Sequence, residues 1–166
     1  MKPSALVVLV LCVSLVSPSS RANERALEFT PHNGFLGHSQ GNGMLRLFIG
    51  KQRHFHVESH GYDQADGTFR LDQTVTFQGK PSQERSWLMK TIGHNRYTAT
   101  LSDAAGPVTG FTDSSRLLLE YRVKGPLIMH QTLELQPDGK TIDNVGKITL
   151  LGIPVGRLHE TITRQD

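Results

Sequence analysis

Residues 68–77 read TFRLDQTVTF. Phe69, Leu71, Gln73, Val75 and Phe77 alternate with Arg70, Asp72, Thr74 and Thr76, and side chains two apart on an extended chain point to one face. One mostly apolar face and one polar face, in a run rich in β-branched and aromatic residues, predict a half-buried strand rather than a helix. The pattern recurs in MLRLFI (44–49), RSWLMKTI (85–92), RYTATLS (96–102), RLLLEYRV (116–123), LIMHQTLEL (127–135) and KITLL (147–151). Between these runs stand turn formers such as Asp66-Gly67, Gly79-Lys80-Pro81, Gly93-His94-Asn95, Ala105-Gly106-Pro107, Lys124-Gly125-Pro126 and Asp138-Gly139. Beyond a weak helical turn around Glu24 to Phe29, no helical period is sustained after residue 22. Some 9–10 short strands joined by tight turns predict an all-β protein, a single antiparallel meander that loses its exposed edges by closing into a barrel.

The first residues carry a different signal. Lys2, the apolar run Ala5 to Val16 and the small residues Ser20 and Ala22 have the anatomy of a secretory signal peptide. The expected division is therefore a signal peptide at 1–22 and one barrel domain at 23–166, exported to the periplasm. Leu11 precedes Cys12 where a lipid-attachment signal needs a small residue, so anchoring through that cysteine is not expected. Cys12 is the only cysteine, and cleavage after Ala22 leaves none for disulfides, thiolate chemistry or metal ligation. Cleavage also removes Lys2 and Arg21, so the 18 basic residues fall to 16 against 15 acidic ones. A net charge near +1 with scattered cations gives no ground for nucleic-acid binding.

Alternation assigns the faces of the other strands. Leu45, Leu47 and Ile49 are placed inside, as are Phe55 and Val57. His54, His56, Glu58 and His60 then form an outward row. A surface metal site there would need a further ligand from a neighbouring strand, which the sequence does not assign. In RSWLM, Trp87 turns inward with Arg85 and Met89, and a guanidinium carried inward requires partners. Gln73, Tyr97 and Tyr121 share inward faces. These six residues, Arg85, Trp87, Met89, Tyr121, Tyr97 and Gln73, are the expected ligand-binding set: apolar walls with a few convergent polar groups. A filled core in which the polar groups bond to one another fits the same residues equally well. Asp103 and Asn144 read as turn residues. No catalytic signature is complete: G-x-S-x-G is missing, HETIT (159–163) lacks the second histidine of H-E-x-x-H, and GHSQGNG (37–43) leads into a strand rather than a helix. No catalytic residue, metal or cofactor is assigned.

FLG (35–37) with Gly41 and Gly43, R-x-F-x-V (53–57), L-D-x-x-V-x-F (71–77), R-x-W (85–87), Tyr97 with Asp103 and Gly106, L-x-Y (119–121), DGKTIDN and LGIPVG (151–156) follow one another in a recognisable order. Together they resemble an uncharacterised family of exported bacterial proteins, a domain of unknown function, over residues 33–164. The resemblance implies a lipocalin-like fold of the calycin group and transfers no catalytic residues. Two positions depart from the pattern. Gln73 stands where an acidic residue is usual, and IMHQTL (128–133) replaces an aromatic-rich strand.

These readings lead to an exported lipocalin-like protein that takes a small hydrophobic or amphipathic ligand, lipid- or fatty-acid-like. The alternatives are an isomerase, cyclase or hydratase on the same barrel, using Arg85 with Tyr121 or Asp103, and an assembly factor of the cell envelope.

Overall fold

The ten strands hydrogen-bond in sequence order and the last closes onto the first. In this computed structural model, residues 28–123 and 125–165 are described. The expected signal peptide, and most of the expected helical turn at 24–29, lie outside them. A short helix, α1 (Pro31–Phe35), leads into β1 (Gly37–Leu47), β2 (Arg53–Asp63), β3 (Phe69–Phe77), β4 (Gln83–Gly93) and β5 (Arg96–Leu101). Then follow β6 (Val108–Asp113), β7 (Arg116–Arg122), β8 (Leu127–Leu135), β9 (Thr141–Leu150) and β10 (Ile153–Arg164). Every neighbouring pair is antiparallel, as a meander of hairpins requires.

Alternation is borne out along β3, where Phe69, Leu71, Gln73 and Val75 are buried, and along β7, where Leu117, Leu119 and Tyr121 are. Phe55 and Val57 also face inward, which leaves the histidine row outside. There His38 stacks on His60 at 4.3 Å between ring centroids, and His56 bonds through Nδ1 to Asn42 Oδ1 at 3.0 Å. Among the described residues no three His, Cys, Asp or Glu side chains gather as a metal site would need.

Three expectations are corrected. Strand β1 starts at Gly37, so GHSQGNG is itself strand, its glycines admitting neighbours that a side chain would strike. A Cβ at position 43 would overlap Phe55 and lie 2.8 Å from the carbonyl oxygen of His159. Strand β1 also ends at Leu47, so Leu47 and Ile49 are exposed at the rim rather than inside. Asn144 lies within β9 and is buried, because β9 runs unbroken from Thr141 to Leu150 and no turn follows TIDN.

The two barrel ends differ. Helix α1 closes one, capped reciprocally by Thr30 and Asn33, with Phe29 and Phe35 packed edge to face at 5.9 Å inside the wall. The N–H of Phe29 donates to the carbonyl of Ser114 at 2.7 Å, which fastens the plug across the barrel. The opposite end, framed by the β1–β2, β3–β4, β5–β6, β7–β8 and β9–β10 connections, is open. No helix among the described residues is long and apolar enough to cross a membrane.

Candidate ligand-binding site

Two hydrogen-bonded groups meet across the interior. On one side Arg85 Nε and Trp87 Nε1, both from β4, donate to the same acceptor, Gln73 Oε1 on β3, at 2.8 and 2.9 Å. Gln73 Nε2 donates onward to Ser59 Oγ on β2 at 3.0 Å. The other side is a relay over four adjacent strands. Tyr121 Oη donates to Gln131 Oε1 (2.9 Å), Gln131 Nε2 to Asn144 Oδ1 (3.1 Å), and Asn144 Nδ2 to Glu160 Oε2 (2.9 Å). Trp87 and Tyr121 join the two groups edge to face, with ring centroids 5.6 Å apart. Buried polar atoms need such partners, and this belt supplies them at one level of the barrel.

Glu160 closes the relay. Its carboxyl sits against Gly41 of β1, where a Cβ would overlap Oε1 and lie 3.1 Å from Cδ. The missing side chain at position 41 thus makes room for the acid. Burial pushes the Glu160 pKa above the ordinary carboxylate range, while the Asn144 bond and the Arg85 charge act in the opposite direction. Burial likewise pushes the Tyr121 phenol up to about 12, with the charge of Arg85 opposing the shift and those of Asp103 and Glu160 adding to it. Tyr121 is therefore a neutral donor across the physiological range.

Beside this belt, toward the open end, lies a cavity of about 240 Å³. Its walls are largely apolar, with Leu45, Phe55, Val75, Met129, Ile148 and Leu158, while Arg85, Tyr121, Gln131 and Glu160 supply polar groups, joined by Asp103, Glu84 and Gln83. Arg85 is half-buried, its Cζ 6.0 Å from the centroid of the Trp87 ring. Among the described residues no carboxylate forms an ion pair with it.

Of the six residues expected from sequence, Arg85 and Tyr121 line the cavity, and Gln73 and Trp87 are bonded or packed to them. Met89 and Tyr97 lie elsewhere, around a recess of about 290 Å³ at the plugged end, with Thr30 and Phe69. Asp103 sits in the β5–β6 connection, exposed at the cavity mouth. Glu160, Asn144 and Gln131 were not anticipated as interior groups. Alternation of Leu158, Glu160 and Ile162 along β10 was the available signal for Glu160.

The family profile for a protein of unknown function, DUF3833, matches residues 6–164. The chain belongs to that family. Members of DUF3833 carry no activity in that description. The fold of this member is similar to that of an S-type phycobiliprotein lyase from Guillardia theta, at TM-score 0.64 and 7% identity, over 79% of this chain and 88% of that one. It is also similar to a protein of unknown function from the DUF3598 family of Nostoc punctiforme, at TM-score 0.60 and 13% identity, over 83% of this chain and 50% of that one. At such identities the likeness is one of fold, a lipocalin-like barrel. No curated protein sequence matches.

Proposed function

We propose that this DUF3833 chain is an exported carrier, cleaved after Ala22 and released into the periplasm, that holds a small amphipathic ligand of fatty-acid or lipid type. The observation that carries the reading is the cavity. It is open at one end and mostly apolar, and it contains one guanidinium with no carboxylate partner. Apolar walls suit a hydrocarbon portion, and the planar fork of Arg85 matches a carboxylate through two parallel hydrogen bonds. Burial favours the neutral form of Glu160, which leaves Arg85 as the charge best placed to meet an anionic head.

Native mass spectrometry of the protein recovered from the periplasm tests export and cargo together. The expected mass begins at Asn23 and carries an amphipathic adduct. Titration of the delipidated protein with oleate, followed through Trp87 fluorescence, is expected to saturate. Arg85→Leu is expected to weaken oleate binding by at least about tenfold, as loss of a charge-assisted hydrogen bond does. The same change should leave a fatty alcohol little affected. An unoccupied protein whose emission ignores both ligands would overturn the carrier reading.

A second reading rests on Glu160. A buried acid with a raised pKa at the end of a hydrogen-bond relay is what a proton-transferring isomerase or hydratase requires. It replaces Asp103, which is exposed, as the acid–base candidate. Turnover of an unsaturated acyl substrate that disappears in Glu160→Gln while binding persists would favour it over simple carriage.

A further inference from the structure

The open rim carries apolar side chains at its tips. The β1–β2 connection presents Phe48 and Ile49, and the β9–β10 turn presents Leu151 and Ile153; their exposures are 56%, 94%, 84% and 67%. The two connections are neighbours because β1 pairs with β10. Leu151 and Gly152 form a two-residue turn with φ of +50° and +82°, a conformation that is unfavourable for leucine. A polar residue or asparagine would suit that position better on both solvation and backbone grounds, so nothing within the chain accounts for leucine there.

Below these tips runs a stripe of cations. Arg46 on β1 lies opposite Arg157 on β10, and Arg157 lies opposite Lys147 on β9, all three on the outer face. Like charges directly opposed across strands are unfavourable, and none of the three forms an ion pair among the described residues. Lys51 and Arg53, beside Ile49, add two more exposed cations. The four residue steps from Ile153 to Arg157 span about 13 Å of strand, or about 10 Å along the axis of a barrel tilted near 40°. That matches the depth over which an interfacial element passes from acyl chains to headgroups, about 5–10 Å.

We propose that the open end docks on the surface of an anionic lipid bilayer, with Phe48, Ile49, Leu151 and Ile153 entering the interface and Arg46, Lys147 and Arg157 meeting the lipid phosphates. The apolar tips supply insertion and the unpaired stripe supplies charge complementarity. A protein partner would need carboxylates matched to the stripe, whereas a bilayer needs only its headgroups. Val123 and Ile148 line both the interior cavity and the apolar recess under the rim, so the cavity mouth faces the membrane in this orientation. Docking stands on the outer surface alone and holds whether or not the cavity carries a ligand.

The test uses the protein recovered after export, beginning at Asn23 and so without Cys12, with an environment-sensitive fluorophore attached through Ile49→Cys at the rim or Ala65→Cys at the plugged end. With phosphatidylglycerol–phosphatidylethanolamine vesicles, the probe at 49 is expected to shift to the blue and be quenched by brominated acyl chains, and the probe at 65 to do neither. Phosphatidylcholine vesicles should give no insertion at 49. Arg157→Gln combined with Lys147→Gln should weaken the response at 49 by about 30-fold, equivalent to about 2 kcal/mol at about 1 kcal/mol per cation near an anionic surface. Equal signals at 49 and 65, equal insertion in phosphatidylcholine, or a water-exposed probe at 49 overturns the proposal. So does a blue shift at 49 that grows with protein concentration in the absence of vesicles, since the rim would then be covered by a second copy.

Discussion

Gly41→Ala tests whether the glycine exists to accommodate the buried acid. The added Cβ would overlap Glu160 Oε1 and approach Cδ to 3.1 Å and Cγ to 3.3 Å, so the carboxyl must leave its position against β1. Moving it breaks the 2.9 Å bond from Asn144 Nδ2. Overpacking of this kind costs about 1–3 kcal/mol, and the lost bond about 0.5–1.5 kcal/mol. Replacing a strand glycine by alanine returns about 0.5–1 kcal/mol through the unfolded chain. The net expectation is a loss of roughly 2 kcal/mol, or roughly 6 °C in Tm for a chain of this size. Urea unfolding followed by Trp87 emission would measure Gly41→Ala, Glu160→Ala and the double variant. With the carboxyl already removed, the Cβ enters vacated space, so Gly41→Ala should be neutral or stabilising in that background. A cost for Gly41→Ala that agrees within about 0.5 kcal/mol in the two backgrounds would refute the coupling, because independent sites add to that accuracy.

Two further predictions concern the belt. Burial raises the folded-state pKa of Glu160 above its unfolded value, so the folded chain binds this proton more tightly. The associated stability is fully present below the unfolded carboxyl pKa of about 4.3 and is lost as pH rises through the folded pKa, at no more than about 1.4 kcal/mol per pH unit. Glu160→Gln should therefore gain stability relative to the parent as pH rises from 4 to 8, and parallel urea-midpoint profiles would contradict this. Gln73→Leu strands Arg85 Nε and Trp87 Nε1 without their acceptor and should cost about 2–4 kcal/mol. Gln73→Glu keeps an acceptor for both. It should cost less than Gln73→Leu by urea unfolding, and the reverse order would show that the shared acceptor does not hold the belt together.

The barrel was legible because its physics is local. Period-two alternation and turn chemistry are properties of neighbouring residues, and they placed Phe69, Leu71, Val75, Trp87 and Tyr121 inside. Strand ends were harder to read. Leu45, Leu47 and Ile49 keep the alternation, yet Gly50, with φ of +133°, belongs to a connection that carries Ile49 out of the sheet. Residues 37–43 hid in the opposite way, since glycine and polar residues read as a loop when the neighbours that need their small size, Phe55, His159 and Glu160, are 12 to 119 residues away. Asn144 and Glu160 were missed for a related reason. A lone polar residue in a strand reads as exposed or as part of a turn until its partner is known. The relay from Tyr121 to Glu160 exists only once β7, β8, β9 and β10 are laid side by side.

That relay also separates the pocket from the filled core that the sequence left equally open. Gln73 bonds to Ser59, Arg85 and Trp87, and Gln131 and Asn144 bond to each other and to Tyr121 and Glu160, all of which a filled barrel would account for. It does not account for the two ionisable groups. Apolar residues of similar volume often match or exceed the stability of buried ionic groups, so a core selected for packing alone has no use for Glu160, a glycine cleared to receive it and a half-buried arginine on the other wall. The Arg85 charge acts on Glu160 without an ion pair between them, and the cavity of about 240 Å³ lies where both reach it. A guanidinium with no carboxylate partner and a buried acid pushed toward its neutral form, beside an apolar space at the open end, stabilise the empty barrel little. They are suited to a third group that enters between them, and the unpaired cations and apolar tips of the rim surround the same mouth.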